Sequence, residues 1–335
     1  MKPTSFNDGY CVLLCAHNGS AYLAEQLNSI ARQEPSPARI VFFDDASTDE
    51  THAVAHCFVG VLPIIFVQLE KRRDGAAGAF EAILLYAAES PESFATYFLC
   101  DQDDIWESCK AARLIECLAQ APIGRPVLVH SELKCFGDAV AGREYLHQSL
   151  GHTRGDSTPE QPLQNLLFEN VVVGASTAFN HTLLQCAMPM PLSAFMHDWW
   201  LAIACVAHGG EIRYLPEALT RYRIHSKSTV GRAGSFLHAL PHRLKALRRS
   251  TADPWLHVVK EQLNGLPFGT ETLPARFFEP LVSKSLALFR QPSRGLRFKA
   301  WLSLRKRRVW SVGSKDAYYK TRLFTDYVIW CTPCH

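Results

Sequence analysis

The stretch Phe98-Leu99-Cys100-Asp101-Gln102-Asp103-Asp104-Ile105-Trp106 sets three carboxylates within four residues, directly after the apolar run Tyr97 to Cys100. Carboxylates that close repel one another, and a strand end offers them little pairing. A hard divalent cation shared with phosphate oxygens relieves the repulsion, because Mg2+ and Mn2+ favour oxygen ligands. A second acidic pair, Asp44-Asp45, ends the apolar run Ile40 to Phe43 in the same way. Two strands ending in carboxylates put the chemistry at one edge of a sheet.

Outward from these two points the first 235 residues alternate strand-like and helix-like segments. Tyr10 to Cys15 reads as a strand, and Ala16-His17-Asn18-Gly19 as the turn after it. A helix from about Ser20 to Gln33 follows, with Tyr22, Leu23, Leu27 and Ile30 on one face and Ser20 as N-cap. Strands are expected at 40–43, 62–69, 97–100, 126–130 and 171–175. Helices are expected from Asp49 to Cys57, at 78–88 and at 106–120. A further helix opens at Met196-His197-Asp198-Trp199-Trp200, and strands follow at 212–215 and 219–225. Strand–helix–strand units at this spacing predict parallel pairing with right-handed crossovers, and such sheets bind ligands at the carboxyl ends of their strands. Residues 151–162 read as a polar loop, and residues after 236 as helices without further strands.

Composition narrows the class. The chain has 335 residues, of which 47% are hydrophobic, and a net charge of +3. No uncharged apolar run reaches the length of a membrane span, and Met1 to Asp8 lacks the apolar core of a signal peptide. Most of the eleven cysteines fall in apolar segments, which fits reduced thiols in a cytoplasm. Cys331 and Cys334 have redox or metal spacing but no second pair nearby. The charge is unevenly spread: residues 1–235 carry about nine more acidic than basic groups, and 236–335 about twelve more basic than acidic. The basic part includes Arg305-Lys306-Arg307-Arg308, interleaved with aromatics such as Trp301 and Trp310. It reads either as a solvated helical face or as peripheral attachment to an anionic membrane, where each basic group contributes about 1 kcal/mol. No nucleic-acid reading motif accompanies the charge.

Four blocks, Ala16-His17-Asn18-Gly19 with Glu25-Gln26-Leu27, Asp44-Asp45-Ala46-Ser47-Thr48-Asp49, Asp101-Gln102-Asp103-Asp104-Ile105-Trp106 and His197-Asp198-Trp199-Trp200, occur in a telling order, and Tyr222-Arg223-Ile224-His225 adds a fifth. In that order and spacing the chain resembles the family 2 inverting glycosyltransferases with a GT-A fold, in particular their bacterial rhamnosyltransferase-like members. The likeness spans about residues 11–230. It implies an α/β GT-A domain over 1–235, with a mostly parallel central sheet flanked by helices, ahead of the basic 236–335 region.

The resemblance also implies roles. Ala16, His17 and Asn18 would lie near the base or ribose, and Asp45 would accept a hydrogen bond from a pyrimidine N–H. The family usually has tyrosine in place of His17 and often glycine in place of Ala46. Gly75, after Lys71-Arg72-Arg73-Asp74, falls where the backbone approaches the nucleotide sugar. Asp101 and Gln102 would contact the donor, with Asp101 at the ribose or at the metal through water. Asp103 would coordinate Mn2+ or Mg2+, with His225 near the metal or the diphosphate. Asp198 would be the general base that takes a proton from the acceptor hydroxyl, its surroundings of imidazole and indoles raising its proton affinity. Asp104, His197, Trp199, Trp200 and Arg223 would support the site or orient the acceptor, with one of the two indoles able to stack on a sugar ring. Helix capping is the plainer reading of Asp44, Asp104 and Asp198, and core packing that of the tryptophans.

The function so implied is metal-assisted transfer of a sugar such as rhamnose from a nucleotide diphosphate to a hydroxyl of a surface polysaccharide such as O-antigen or of a lipid-linked glycan. The expected place is the cytoplasm, at the inner face of the cell membrane. Two other readings stand beside it. A haloacid-dehalogenase-type Mg2+-dependent phosphatase also uses Asp-x-Asp after a strand, although its nucleophile normally follows the first strand. A non-catalytic nucleotide-sugar-binding protein would keep the donor contacts without transfer.

Overall fold

The computed structural model describes residues 5–225 apart from 74, 141, 143, 147–165, 167–169, 171 and 191–195. The expectations for 151–162 and 236–335, and for Cys331 and Cys334, lie outside the described residues. In chain order the elements are β1 Ser5–Ala16, α1 Ser20–Ala31, β2 Arg39–Asp44, α2 Thr51–His56, β3 Ile64–Gln68, α3 Gly75–Glu89, β4 Glu92–Cys100, β5 Ile105–Trp106 and α4 Lys110–Ala119. There follow β6 Val127–Phe136, a 3-10 turn Gly174–Ser176, β7 Thr177–Asn180, α5 His181–Ala187, α6 His197–Ala207 and β8 Glu211–Arg223.

The eight strands form one open sheet in the order β3-β2-β1-β4-β7-β6-β8-β5. β1, β2, β3 and β4 pair in parallel, while β7 runs antiparallel to both β4 and β6. The sheet is therefore mixed, parallel in its first half. Side chains of a strand alternate between faces, and β1 is apolar on both. Cys11, Leu13 and Cys15 join the core packed by α3, α5 and α6. Val12, Leu14 and Ala16 join the core packed by α1 and α4. A strand covered on both faces reads as a continuous apolar run, as residues 11–16 do.

The site edge follows from the register. Ala16 pairs with Asp44 and Leu14 with Cys100, so the first two acidic loops leave the sheet side by side. Because β6 is parallel to β8 and antiparallel to β7, β8 runs in the same sense as β4. Its last residues thus arrive at that same edge.

Several boundaries differ from expectation, each for a local reason. Ser20 does not cap α1: Gly19 holds the N-cap position, and the Ser20 hydroxyl donates to Asp49 Oδ2 at 2.7 Å. The helix expected at 106–120 begins at Lys110, because Ile105 and Trp106 pair antiparallel with Arg221 and Thr220. The strand expected at 171–175 gives way to the 3-10 turn, with β7 starting at Thr177. The two strands expected at 212–215 and 219–225 are one, β8. Its pairing with β6 slips around Pro216, which has no N–H to donate to a ladder.

Candidate functional site

The first turn is laced to the loop after β2. Asn18, at φ 51°, accepts from Thr48 N at 2.8 Å, and its own N–H donates to Ser47 Oγ at 3.0 Å. His17 Nδ1 donates to the Asp45 carbonyl at 2.8 Å, a bond that assigns the ring proton to Nδ1. Asp45 is buried, and its Oδ1 accepts from Arg73 N at 2.7 Å. That bond draws in the segment leading to Gly75, which opens α3 at φ +72° with nothing within 4 Å of where a Cβ would stand. Asp44 ends β2 and does not cap α2, whose N-cap is Glu50: Oδ1 accepts from Ser47 N at 2.9 Å in the loop, while Oδ2 is buried with no partner among the described residues.

Gln102 joins the first turn to the acidic loop. Its amide accepts from His17 N at 2.8 Å and donates to His17 O at 3.2 Å. A Cβ on Gly19 would stand 2.1 Å from Gln102 Oε1, so a side chain at 19 would push the Gln102 amide off His17. The Gln102 side chain thus clamps the backbone of the first turn.

The three aspartates are held differently. Asp101 keeps part of its surface open, and burial together with the charges of Asp103 and Asp198 raises its pKa to about 7. Asp103 Oδ2 lies 2.8 Å from His225 Nε2, and its carbonyl accepts from Arg223 Nε at 2.8 Å. Asp104 is buried: Oδ1 accepts from Arg223 N at 2.9 Å, and Oδ2 has no partner among the described residues. Burial first, then Asp103 and Asp101, push its proton affinity well above the carboxylate range. It anchors β8 and does not cap a helix. The Arg223 guanidinium lies between the rings of Tyr22 and Phe136, 4.5 and 4.3 Å away, and bonds Glu25. His225 stacks on Tyr22 at 5.5 Å between centroids. Trp106 packs beneath the loop against Phe98, as expected.

Asp198, 97 residues after Asp101, belongs to the same cluster electrostatically, since its charge raises the pKa of Asp101. It opens α6 and is buried. Oδ1 accepts from Asn170 Nδ2 at 2.9 Å and Trp199 N at 2.7 Å, while Oδ2 accepts from Gly174 N at 3.0 Å. Three N–H donors are more than an ordinary cap needs, and they fix the carboxylate in one orientation. His197 lies flat on Phe80, 3.9 Å between centroids, and burial lowers its pKa against the pull of Asp198. Trp199 and Trp200 are buried, and their indole N–H groups donate to the Leu166 and Ala187 carbonyls. These contacts correct the stacking expectation: both rings are core.

Four residues of the cluster have no role assigned from the motifs. Asn170 and Gly174 hold Asp198, and Gly174 must stay small because a Cβ would meet His197 Nε2 at 2.9 Å. Tyr222 is buried, and burial plus the charges of Asp104, Asp101, Asp103 and Asp198 raise its phenol. Lys110 is fully buried beside the same carboxylates. A signal for Lys110 was available: it shares the i, i+4, i+8 face of α4 with the buried Leu114 and Leu118. As for a metal, carboxylates with a nearby imidazole suit Mn2+ or Mg2+. Among the described residues no three such donors converge to hold an ion alone. The protein would thus supply part of a shell that phosphate oxygens and water complete.

Residues 11–123 match the family model described as glycosyl transferase family 2. An uncharacterized protein of Mycobacterium tuberculosis is 26% identical over 218 residues, covering 64% of this chain and 58% of its own length. An uncharacterized glycosyltransferase of Nostoc sp. is 26% identical over 220 residues, 64% of each chain. The dTDP-rhamnosyl transferase RfbG of Shigella flexneri is 32% identical over 106 residues, 31% of this chain and 36% of its own. The chain spans about three fifths of the length of the mycobacterial relative. Among solved structures, S. aureus TarS with UDP-GlcNAc aligns at 16% identity over 84% of this chain and 80% of its own, TM-score 0.49. The mannosyltransferase PcManGT of Pyrobaculum calidifontis, with GDP-Man and Mn2+, aligns at 19% identity over 96% and 85%, TM-score 0.49.

The likeness to glycosyl transferase family 2 thus rests on residues 11–123, which run from β1 past the end of α4. The phosphatase reading is not favoured beside that match. Among the described residues no helix is long and apolar enough to cross a membrane.

Proposed function

We propose that the enzyme transfers a sugar from a nucleoside diphosphate donor to an acceptor hydroxyl with inversion, using Asp198 as general base. The observation that carries this reading is the meeting of Asp198 with Asp101 across 97 residues of chain. A single displacement needs one group at the departing diphosphate and a base for the incoming hydroxyl, and in this reading Asp101 and Asp198 divide those roles. In that displacement the acceptor oxygen bonds to the anomeric carbon while the bond from that carbon to the diphosphate oxygen breaks. The hydroxyl proton passes to Asp198 Oδ2, which among the described residues accepts only Gly174 N–H and so has a lone pair left. Oδ1, with two donors, holds the group still. His17, Asn18, Asp45 and Gly75 frame the nucleotide, with Ala16 at the end of β1 beneath them and Gln102 keeping the first turn seated.

Asp103, with Asp101 and His225 beside it, would hold Mn2+ or Mg2+ at the diphosphate. A bound divalent cation neutralises charge on the departing nucleoside diphosphate. The stretch shared with RfbG supports a dTDP-rhamnose donor; the acceptor in this reading is a surface polysaccharide or lipid-linked glycan. In this reading the basic residues after 236 would meet anionic membrane and keep the enzyme at the inner face.

The test is turnover of a panel containing dTDP-rhamnose, UDP-N-acetylglucosamine and GDP-mannose with Mn2+. Asp198→Asn keeps the shape and the acceptor oxygen but not the base, and is expected to lower kcat at least 100-fold, within the range of a general base. The donor KM and the melting temperature should stay close to wild type. Full activity of Asp198→Asn would sink the assignment.

A further inference from the structure

Lys110 is 0% exposed at the first position of α4, yet it carries an ammonium. Its Nζ donates to the Ala175 carbonyl at 2.7 Å and lies 4.0 Å from the centroid of Trp106. Among the described residues it forms no ion pair. A buried ammonium served only by a carbonyl and an indole face is costly, and replacing such a group by an apolar one of similar volume is often neutral or stabilising. Packing alone therefore does not account for a lysine here.

Its surroundings do. Asp101 and Asp104 lie within electrostatic reach of the ammonium, and these are the carboxylates crowded at the end of β4. On its other side, the Ala175 carbonyl belongs to the 174–176 turn, and Thr220 Oγ1 donates to that same oxygen at 3.3 Å. One residue earlier in the turn, Gly174 N–H bonds Asp198 Oδ2 at 3.0 Å. A single side chain thus reaches the donor half of the site through space and the base half through two residues of backbone, Ala175 and Gly174.

We propose that Lys110 is a positioning residue that ties the two halves of the active site together, as fixed counter-charge beneath Asp101 and Asp104 and as anchor of the turn that orients Asp198. The part concerning turnover rests on the reading of Asp198 as the base. Lys110 touches no reacting atom. It acts by holding Gly174 N–H against Oδ2, so its loss leaves donor binding largely intact and misdirects the base.

The full chain carrying Lys110→Met, compared with wild type, separates this from a purely structural role. Hydrogen–deuterium exchange of the 172–180 segment is expected to speed up at least tenfold, with the melting temperature unchanged or higher. With dTDP-rhamnose, UDP-N-acetylglucosamine or GDP-mannose and Mn2+, whichever wild type turns over, kcat is expected to fall at least tenfold while the donor KM stays within threefold. Unchanged exchange and turnover in a folded variant overturns the proposal. So does a fall in melting temperature that tracks the loss of kcat. If Lys110→Met does not fold, Lys110→Gln takes the same measurements, and failure of both to fold marks a core residue and equally overturns it. Should wild type turn over none of the three donors, the proposed function fails at that point, while the exchange result still decides whether Lys110 anchors the turn.

Discussion

Ala46 sits at φ 55°, the left-handed region that costs an L side chain about 1–2 kcal/mol. Glycine reaches it freely but loses about 0.5–1 kcal/mol to backbone entropy. The balance predicts that Ala46→Gly stabilises by about 0.5–1 kcal/mol, read as a rise of about 1–3 °C in thermal unfolding. Asp101 makes the opposite kind of statement. Folded, it holds its proton to about pH 7; unfolded, only to its ordinary 3.8. Between those values the folded state binds more protons, so stability falls as pH rises through the window. Asp101→Asn should remove that fall. In a chelating buffer its melting temperature should gain on wild type between pH 5 and pH 8, by the equivalent of about 1–3 kcal/mol after allowance for the exposed part of the side chain. Lys110 titrates in a separate window, because burial pulls it down to about 8; any change it causes lies above that pH.

At the scale of elements, α6 explains why two tryptophans beside a candidate base are not ligand platforms. All of its eleven residues are buried, so the helix has no face left for a sugar. Trp200→Phe removes one buried indole bond, to the Ala187 carbonyl. It is expected to cost about 1–2 kcal/mol of stability with no change in donor KM, checked by denaturant unfolding and kinetics on one preparation. How far such elements were legible depended on whether local pattern and tertiary demand agreed. β1 and β2 were plain, because a doubly covered strand shows an unbroken apolar run. Ile105 and Trp106 misled, since their bulk continues the apolar stripe of α4 although a distant strand claims them. The 174–176 turn was illegible for a similar reason: Gly174 N–H goes to Asp198 instead of to a neighbouring strand, and nothing local announces that. Lys110 was readable in principle, since a charge on an apolar helix face is a conflict that demands a partner.

For the whole molecule, the acidic loops, the turn at 17–19 and the end of β8 meet at one edge, and charge crowding in a short stretch was enough to point there. The partners of each carboxylate were not readable, because they come from chain distances of 119 and 122 residues for Asp104 and Asp103. The basic region after 236 extends the same logic of charge to a surface. Replacing Arg305, Lys306, Arg307 and Arg308 by glutamate should abolish flotation with anionic liposomes and leave neutral ones as before, because each basic group near such a surface contributes about 1 kcal/mol. Equal flotation on both lipids by the unaltered chain would remove the membrane from the picture.

The pairing of β5 with β8 alone sets an order of events during synthesis. While the ribosome is still short of residue 211, Ile105 and Trp106 have no sheet neighbour, and Asp103 and Asp104 lack the backbone and imidazole that receive them. The donor loops of the first hundred residues can gather early, but the acidic loop is braced only when the last described strand slides in. A chain truncated just before that strand would keep seven strands and all six described helices and still lack a finished site.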